Sequence, residues 1–157
     1  MAKRAQLAAF TLVELLVVIV IAGVLASIAG PRFFATNAFD ERGYADELGA
    51  ALRYGQKVAV ATGCPVQVTV TAAGYALGQQ TAAAGHCNPA DASFATPVLL
   101  PDGQAVAGNA PAGVVAAPAV SFRFLPTGDT SLGADTTLAV GARAVTVSAG
   151  SGLVVSQ

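Results

Sequence analysis

Few side chains in the 157-residue sequence can do chemistry, and their spacing decides which chemistry is open to them. His86 is the only histidine, and Cys64 and Cys87 are the only cysteines. A nucleophilic site needs a base beside its nucleophile and a third group to orient that base. A lone histidine in a run of small residues reads as an exposed loop residue instead. A zinc site takes about four N or S ligands, and His86 beside Cys87 has no second His or Cys pair to complete one. Asp91, Asp102, Asp129 and Asp135 fall in turn-like contexts, Asp102-Gly103 and Gly128-Asp129 among them, where a carboxylate bonds the backbone just after it. Their spacing matches no calcium-binding loop. No catalytic residue, metal site or cofactor is therefore expected, and the chain reads as something other than an enzyme. Nucleic acid is not an expected partner either. Beyond residue 61 the basic residues are Arg123 and Arg143 against those four aspartates, and phosphate binding needs clustered Lys and Arg.

The remaining carboxylate of interest is Glu14, because of what surrounds it. Hydrophobic residues make up 54% of the chain and charged residues 11%, against roughly a quarter charged in soluble domains. The excess is concentrated in residues 10–30, FTLVELLVVIVIAGVLASIAG, where Glu14 is the single charge. A helix of that length rises about 30 Å, the thickness of a bilayer's hydrocarbon core. Lys3 and Arg4 precede it, and the positive-inside rule keeps that end cytoplasmic and places everything after Arg32 outside the inner membrane. Three readings compete: a plain anchor, a secretory signal peptide cut after Ser27-Ile28-Ala29, and the amino terminus of a pilin-like subunit. A carboxylate inside a membrane helix costs about 2.5 to 3.5 kcal/mol and calls for a partner or a function, which weighs against the first two.

At Phe10-Thr11-Leu12-Val13-Glu14 the sequence resembles the class III signal of type IV pilins and type II secretion pseudopilins. The resemblance implies that residues 1–9 are a leader, that a prepilin peptidase cuts between Ala9 and Phe10 on the cytoplasmic side, and that the new amino terminus on Phe10 is methylated. Ala9 stands where the family has Gly. The resemblance further implies that Glu14 pairs with the terminal amine of a neighbouring subunit as the helix enters a filament, which supplies the missing partner. Residues 10–30 are then the membrane-spanning and filament-core helix, with membrane lipid and other pilins or pseudopilins as partners. Without the leader, the charge balance becomes six basic against nine acidic residues.

Gly30-Pro31 interrupts the apolar run, and a proline within a helix removes a hydrogen bond and kinks it. A bend is expected there, with the helix continuing to about residue 61, some 75 Å in all. Over residues 31–61, Phe34, Ala38, Ala45, Leu48, Leu52 and Ala59 share one face, while Arg42, Asp46, Arg53 and Lys57 follow another, as a solvated or subunit-facing stripe. Gly43, Gly49 and Gly55 each weaken this amphipathic helix by about 1 kcal/mol relative to Ala, so packing must hold it.

After Gly63 the pattern becomes strand-like, beginning with the alternation of residues 65–70, PVQVTV, and a hairpin partner over 75–77. Further strands are expected over 98–100, 120–125, 137–140, 144–148 and 153–156, with loops over 79–97 and 101–118. Residues 62–157 are thus expected to form a β-rich periplasmic domain and the fold class to be α+β, a long helix laid on an antiparallel sheet; the resemblance implies that this is the type IV pilin fold, with the helix kinked. Residues 52–61, LRYGQKVAVA, residues 65–68, and residues 122–128, FRFLPTG, resemble the domain of GspH pseudopilins and of FimT and FimU minor pilins. Residues 31–34 and 39–43 are similar to minor pilins of the mannose-sensitive haemagglutinin type. The function implied is a minor pseudopilin in type II protein secretion, with a minor pilin that primes type IV pilus assembly, or one for DNA uptake, as alternatives. Cys64 and Cys87 both fall outside the cytoplasm, where disulfides persist, and are expected to be bonded. Closing that loop is worth about 3 to 4 kcal/mol in the chain-entropy model.

Overall fold

The computed structural model describes residues 11–33, 36–83 and 85–157, and the chain divides into two compact units at residue 36. Ala9 and Phe10 lie outside the described residues. The first unit holds helix α1 (Leu12–Phe33). Its run of Leu, Val and Ile carries few helix breakers, and α1 as formed includes Gly30 and Pro31, so that pair does not end it. Helix α2 (Thr36–Thr62) follows. Residues 34 and 35, through which the sequence expects one continuous helix, lie outside the described residues.

The second unit is α2 and a set of antiparallel strands. These are β1 (Val66–Thr71), β2 (Gly74–Gln79), β3 (Ala82–Ala83), β4 (His86–Cys87), β5 (Thr96–Pro97), β6 (Ala107–Asn109), β7 (Ala116–Ala117), β8 (Val120–Phe124), β9 (Thr136–Val140), β10 (Arg143–Val147) and β11 (Val154–Ser156). One sheet runs β5-β2-β1-β8 with β6 also paired to β2, a second runs β11-β10-β9-β7, and β3 and β4 form a separate ribbon. The α+β expectation holds, with two sheets in place of one.

Alternation builds the sheets. In β1 the valines at 66, 68 and 70 are buried while Gln67 and Thr69 turn outward. Leu138 and Val140 of β9, and Val145 and Val147 of β10, repeat the pattern. These side chains join Phe122, Phe124 and the α2 residues Tyr44, Ala45, Leu48, Ala51, Leu52 and Ala59 in one hydrophobic cluster. A sheet face and a helix stripe can bury their apolar surface only against each other, and this cluster is where they do so. Ala38, placed on the apolar stripe by periodicity, is exposed, because the stripe begins to be covered only at Tyr44. At the other end α2 stops at Gly63, whose φ of +68° is the left-handed conformation that terminates helices.

The three α2 glycines have different surroundings. A Cβ on Gly43 would meet nothing, one on Gly49 would make ordinary contacts, and one on Gly55 would lie 2.5 Å from Leu77 Cδ2. Gly55 therefore lets β2 approach the helix.

Two corrections concern strands. Residues 98–100 are not a strand; only Leu99 bridges Ala105, while Val98 bonds Leu77 and Val106 through its backbone. The stretches read as loops, 79–97 and 101–118, contain the short strands β3 to β7. Most of these short strands are rich in alanine and glycine, which carry no apolar-polar alternation to read.

Candidate functional site

α1 is the first element to account for. Every described side chain from Leu12 to Leu25 is exposed, among them Leu12, Val13, Leu15, Leu16, Val17, Val18, Ile19, Val20, Ile21, Val24 and Leu25. An apolar surface that continuous on all sides of a helix has to be covered by something outside the chain. Among the described residues no helix is long and apolar enough to cross a membrane. The side chains described in α1 end at Leu25, short of the stretch expected to span.

Glu14 stands in the first turn of α1, and its N–H donates to Thr11 Oγ1 at 3.2 Å. Thr11 is thus the N-cap and Glu14 the third helical residue, the spacing of a capping box, with a carboxylate at the positive end of the helix dipole. This local role accompanies any intermolecular one. It was legible in Thr11-x-x-Glu14, and the sequence reading missed it.

The second unit is clasped by the polar side chains of α2. Arg53 Nε donates to Val154 O at 3.2 Å and Arg53 Nη2 to Ser156 Oγ at 3.1 Å, tying the last strand to the helix. Gln56 Nε2 donates to Gly128 O at 2.7 Å and to Ser151 O at 3.0 Å, joining two turns. Tyr54 donates to Leu99 O at 2.9 Å, and Glu41 Oε2 accepts from Ala142 N at 3.1 Å. Arg42, Asp46, Arg53 and Lys57 are all exposed, as a solvated stripe requires; Arg53 also belongs to the clasp, whereas Arg42 and Asp46 pair with each other on the surface at 3.9 Å. The partners of these side chains lie some 45 to 103 residues away in the chain, a separation that periodicity does not encode.

Cys64 and Cys87 form a disulfide with Cα atoms 5.6 Å apart. It fastens β4 to the residues that follow α2. The Asp91 carboxylate arranges the rest of this loop by accepting from Thr81 N at 2.7 Å and from Ser93 N at 2.8 Å. Hydrogen bonds from Ser93 and Thr81 hold that carboxyl well below the usual carboxylate range. Asp102 accepts from Gln104 N, so it and Asp91 bond the backbone two residues on as expected, whereas Asp129 accepts from the Thr127 hydroxyl before it and Asp135 reaches across the fold to Ala149 N. His86 is exposed on β4, paired with Ala83. Among the described residues no three His, Cys, Asp or Glu side chains gather as a metal group would require.

A further polar pair lies between α2 and β2. Tyr75 donates to Glu47 Oε1 at 2.7 Å, and the Tyr44 ring lies 6.1 Å from that of Tyr75. Burial first, and then the Glu47 carboxylate, raise both phenols above their ordinary value of 10.0.

A capped apolar helix, followed by a clasped α+β unit whose helix lies on antiparallel sheets, defines the class as type IV pilin-like. Two family models match the chain. A prokaryotic N-terminal methylation motif covers residues 7–30, and the model described as type II transport protein GspH covers residues 44–152. The chain belongs to the GspH family of minor pseudopilins, structural parts of a membrane-anchored periplasmic filament. The methylation motif implies processing by a prepilin peptidase and pseudopilins as filament partners. Neither the curated proteins nor the solved structures contain a match.

Proposed function

We propose that the chain is a minor pseudopilin of a type II secretion machine whose work is assembly, with no catalytic step of its own. Prepilin peptidase cuts between Ala9 and Phe10, and Phe10 is N-methylated. Residues 10–30 are held in inner-membrane lipid, residues 31–61 carry the helix into the second unit, and residues 62–157 lie in the periplasm. On assembly, Glu14 pairs with the terminal amine of a neighbouring subunit, and the apolar surface of α1 passes from lipid into a bundle of like helices. A bend at Gly30-Pro31, where the proline lacks a donor, sets the direction of the chain beyond the bundle. The carrying observation is the uncovered apolar surface of α1 in a chain that matches both the methylation motif and GspH.

One complementation experiment tests this. In the native host, deletion of the chain should abolish exoprotein release and leave surface pili, and the wild-type chain should restore release. Glu14→Ala should reach the membrane in normal amount and fail to restore it. Lost pili with normal release would move the subunit to a pilus. Rescue by Glu14→Ala would refute the pairing role.

A further inference from the structure

A groove of about 440 Å³ lies between α2 and the segment leading into β6. Its lining includes Glu47, Ala51 and Tyr54 from α2, Tyr75 from β2, and Leu100 and Gln104 opposite. The volume falls within the roughly 300 to 1,000 Å³ of small-ligand sites. Glu47 is an exposed carboxylate with one oxygen engaged by Tyr75, and among the described residues no cation pairs with it. The positions that would supply a helical partner are occupied by Gly43, Tyr44, Ala50 and Ala51, none of them basic. Of the basic residues of this unit, Arg53 holds β11, Arg42 pairs with Asp46, and the Arg123 guanidinium lies 4.6 Å from the Phe94 ring centre, while Lys57 and Arg143 are not among the residues that line the groove. Residues 37–157 carry five basic against eight acidic residues, so the surrounding field also favours a cation.

The carboxylate is held in place by its surroundings. A Cβ on Gly108 would lie 2.6 Å from Tyr75 Cε1 and would meet the Glu47 carboxylate as well, so the β6 backbone approaches this pair as closely as glycine allows. The groove thus offers a fixed anion, two phenol rings and a short apolar wall. Aromatic faces attract ammonium and guanidinium groups, and aliphatic stems lie well along apolar surface.

We propose that this groove is a docking site for a lysine or arginine side chain presented by a segment of another protein, with the charged head on Glu47 and the stem along Ala51 and Leu100 beside the phenol rings. The site lies within the second unit and goes beyond the assembly reading.

The test uses the full chain in a mild, non-aromatic detergent. The chain has no tryptophan and three tyrosines, and Tyr54 and Tyr75 line the groove, with Tyr44 beside Tyr75. Tyrosine emission therefore reports on this corner. The probe is acetyl-Ala-Arg-Ala-amide, and its neutral twin has citrulline in place of arginine. The arginine peptide should change the emission saturably and bind at least about tenfold more tightly than the citrulline peptide. Glu47→Gln, which keeps an acceptor for Tyr75, should remove that preference. Ala50→Arg, which places a cation one helical turn from Glu47, should block the peptide. Circular dichroism checks that both variants fold. An equal response to the two peptides, an unchanged preference in Glu47→Gln, or no saturable response would overturn the proposal. An emission change that follows protein concentration without peptide would give the groove to a second copy of the chain, and would overturn it too.

Discussion

Gly152 meets α2 at a contact of the clasp that leaves no room for a side chain. Its φ is +65°, and a Cβ there would lie 2.2 Å from Gly128 O and 2.5 Å from Gln56 Nε2. Replacing Gly152 by alanine should therefore cost at least twice, apart from the shift that the Gly128 main chain must make. Holding a non-glycine residue in the left-handed region takes about 1 to 2 kcal/mol. Displacing the Gln56 amide forfeits its bonds to Gly128 O and Ser151 O, at about 1 kcal/mol each. These two costs come to about 3 to 4 kcal/mol, a lower bound on the loss, set against the roughly 5 to 15 kcal/mol of an ordinary domain. Gln56→Ala alone should cost about 1 to 2 kcal/mol. In the double variant the second cost of Gly152→Ala has already been incurred, so the two effects should fall short of additivity by about 1 to 2 kcal/mol. Urea denaturation of the full chain in detergent, followed by tyrosine emission, measures all three. Gly133→Ala is the control, since a Cβ there meets nothing and the φ is not in the left-handed region. Additivity within about 0.5 kcal/mol, or a Gly152→Ala cost below about 1 kcal/mol, would refute the reasoning.

Two other outcomes follow from the second unit. Replacing both Cys64 and Cys87 by serine should lower stability by about 3 to 4 kcal/mol through loop-closure entropy and raise hydrogen exchange over residues 79–97; a loss below about 1 kcal/mol would count against it. Because the folded-state values of Tyr44 and Tyr75 are raised, the stability linked to them is fully present below pH 10.0 and is lost as pH rises through the folded values. Phenolate absorbance should thus leave both rings protonated past pH 10.0 until the unit opens, and ionisation of all three tyrosines at the ordinary value in folded protein would contradict this.

The sequence showed the large elements and hid the connections between them. The apolar run of residues 10–30 and the Val-Thr alternation of β1 are periodic over enough residues to read directly. So were the turns at Asp91 and Asp102, where the carboxylate bonds the backbone two residues on; the reach of Asp135 to Ala149 was not. The two-residue strands were invisible because two residues cannot show a period, and in β3 and β7 both are alanine. The clasp was hidden for another reason. Arg53 is exposed as its place in the stripe requires, but helical periodicity says only which side a residue faces, and says nothing of what tertiary structure brings to that side. The same holds for Glu47 and Tyr75, a hydrogen bond formed across 28 residues of sequence.

The clasp has a consequence for how this protein can change. Gln56, Tyr54 and the Arg53 Nε each donate to a main-chain carbonyl, at Gly128, Ser151, Leu99 and Val154. A carbonyl is present whatever side chain its residue carries, so α2 holds positions in the chain and is largely indifferent to the residues there. The displayed turns can then vary in sequence under selection for new neighbours while the same few helix side chains keep them in register. The exceptions are the places where the backbone must come as close as only glycine permits, and Gly152 is one of them.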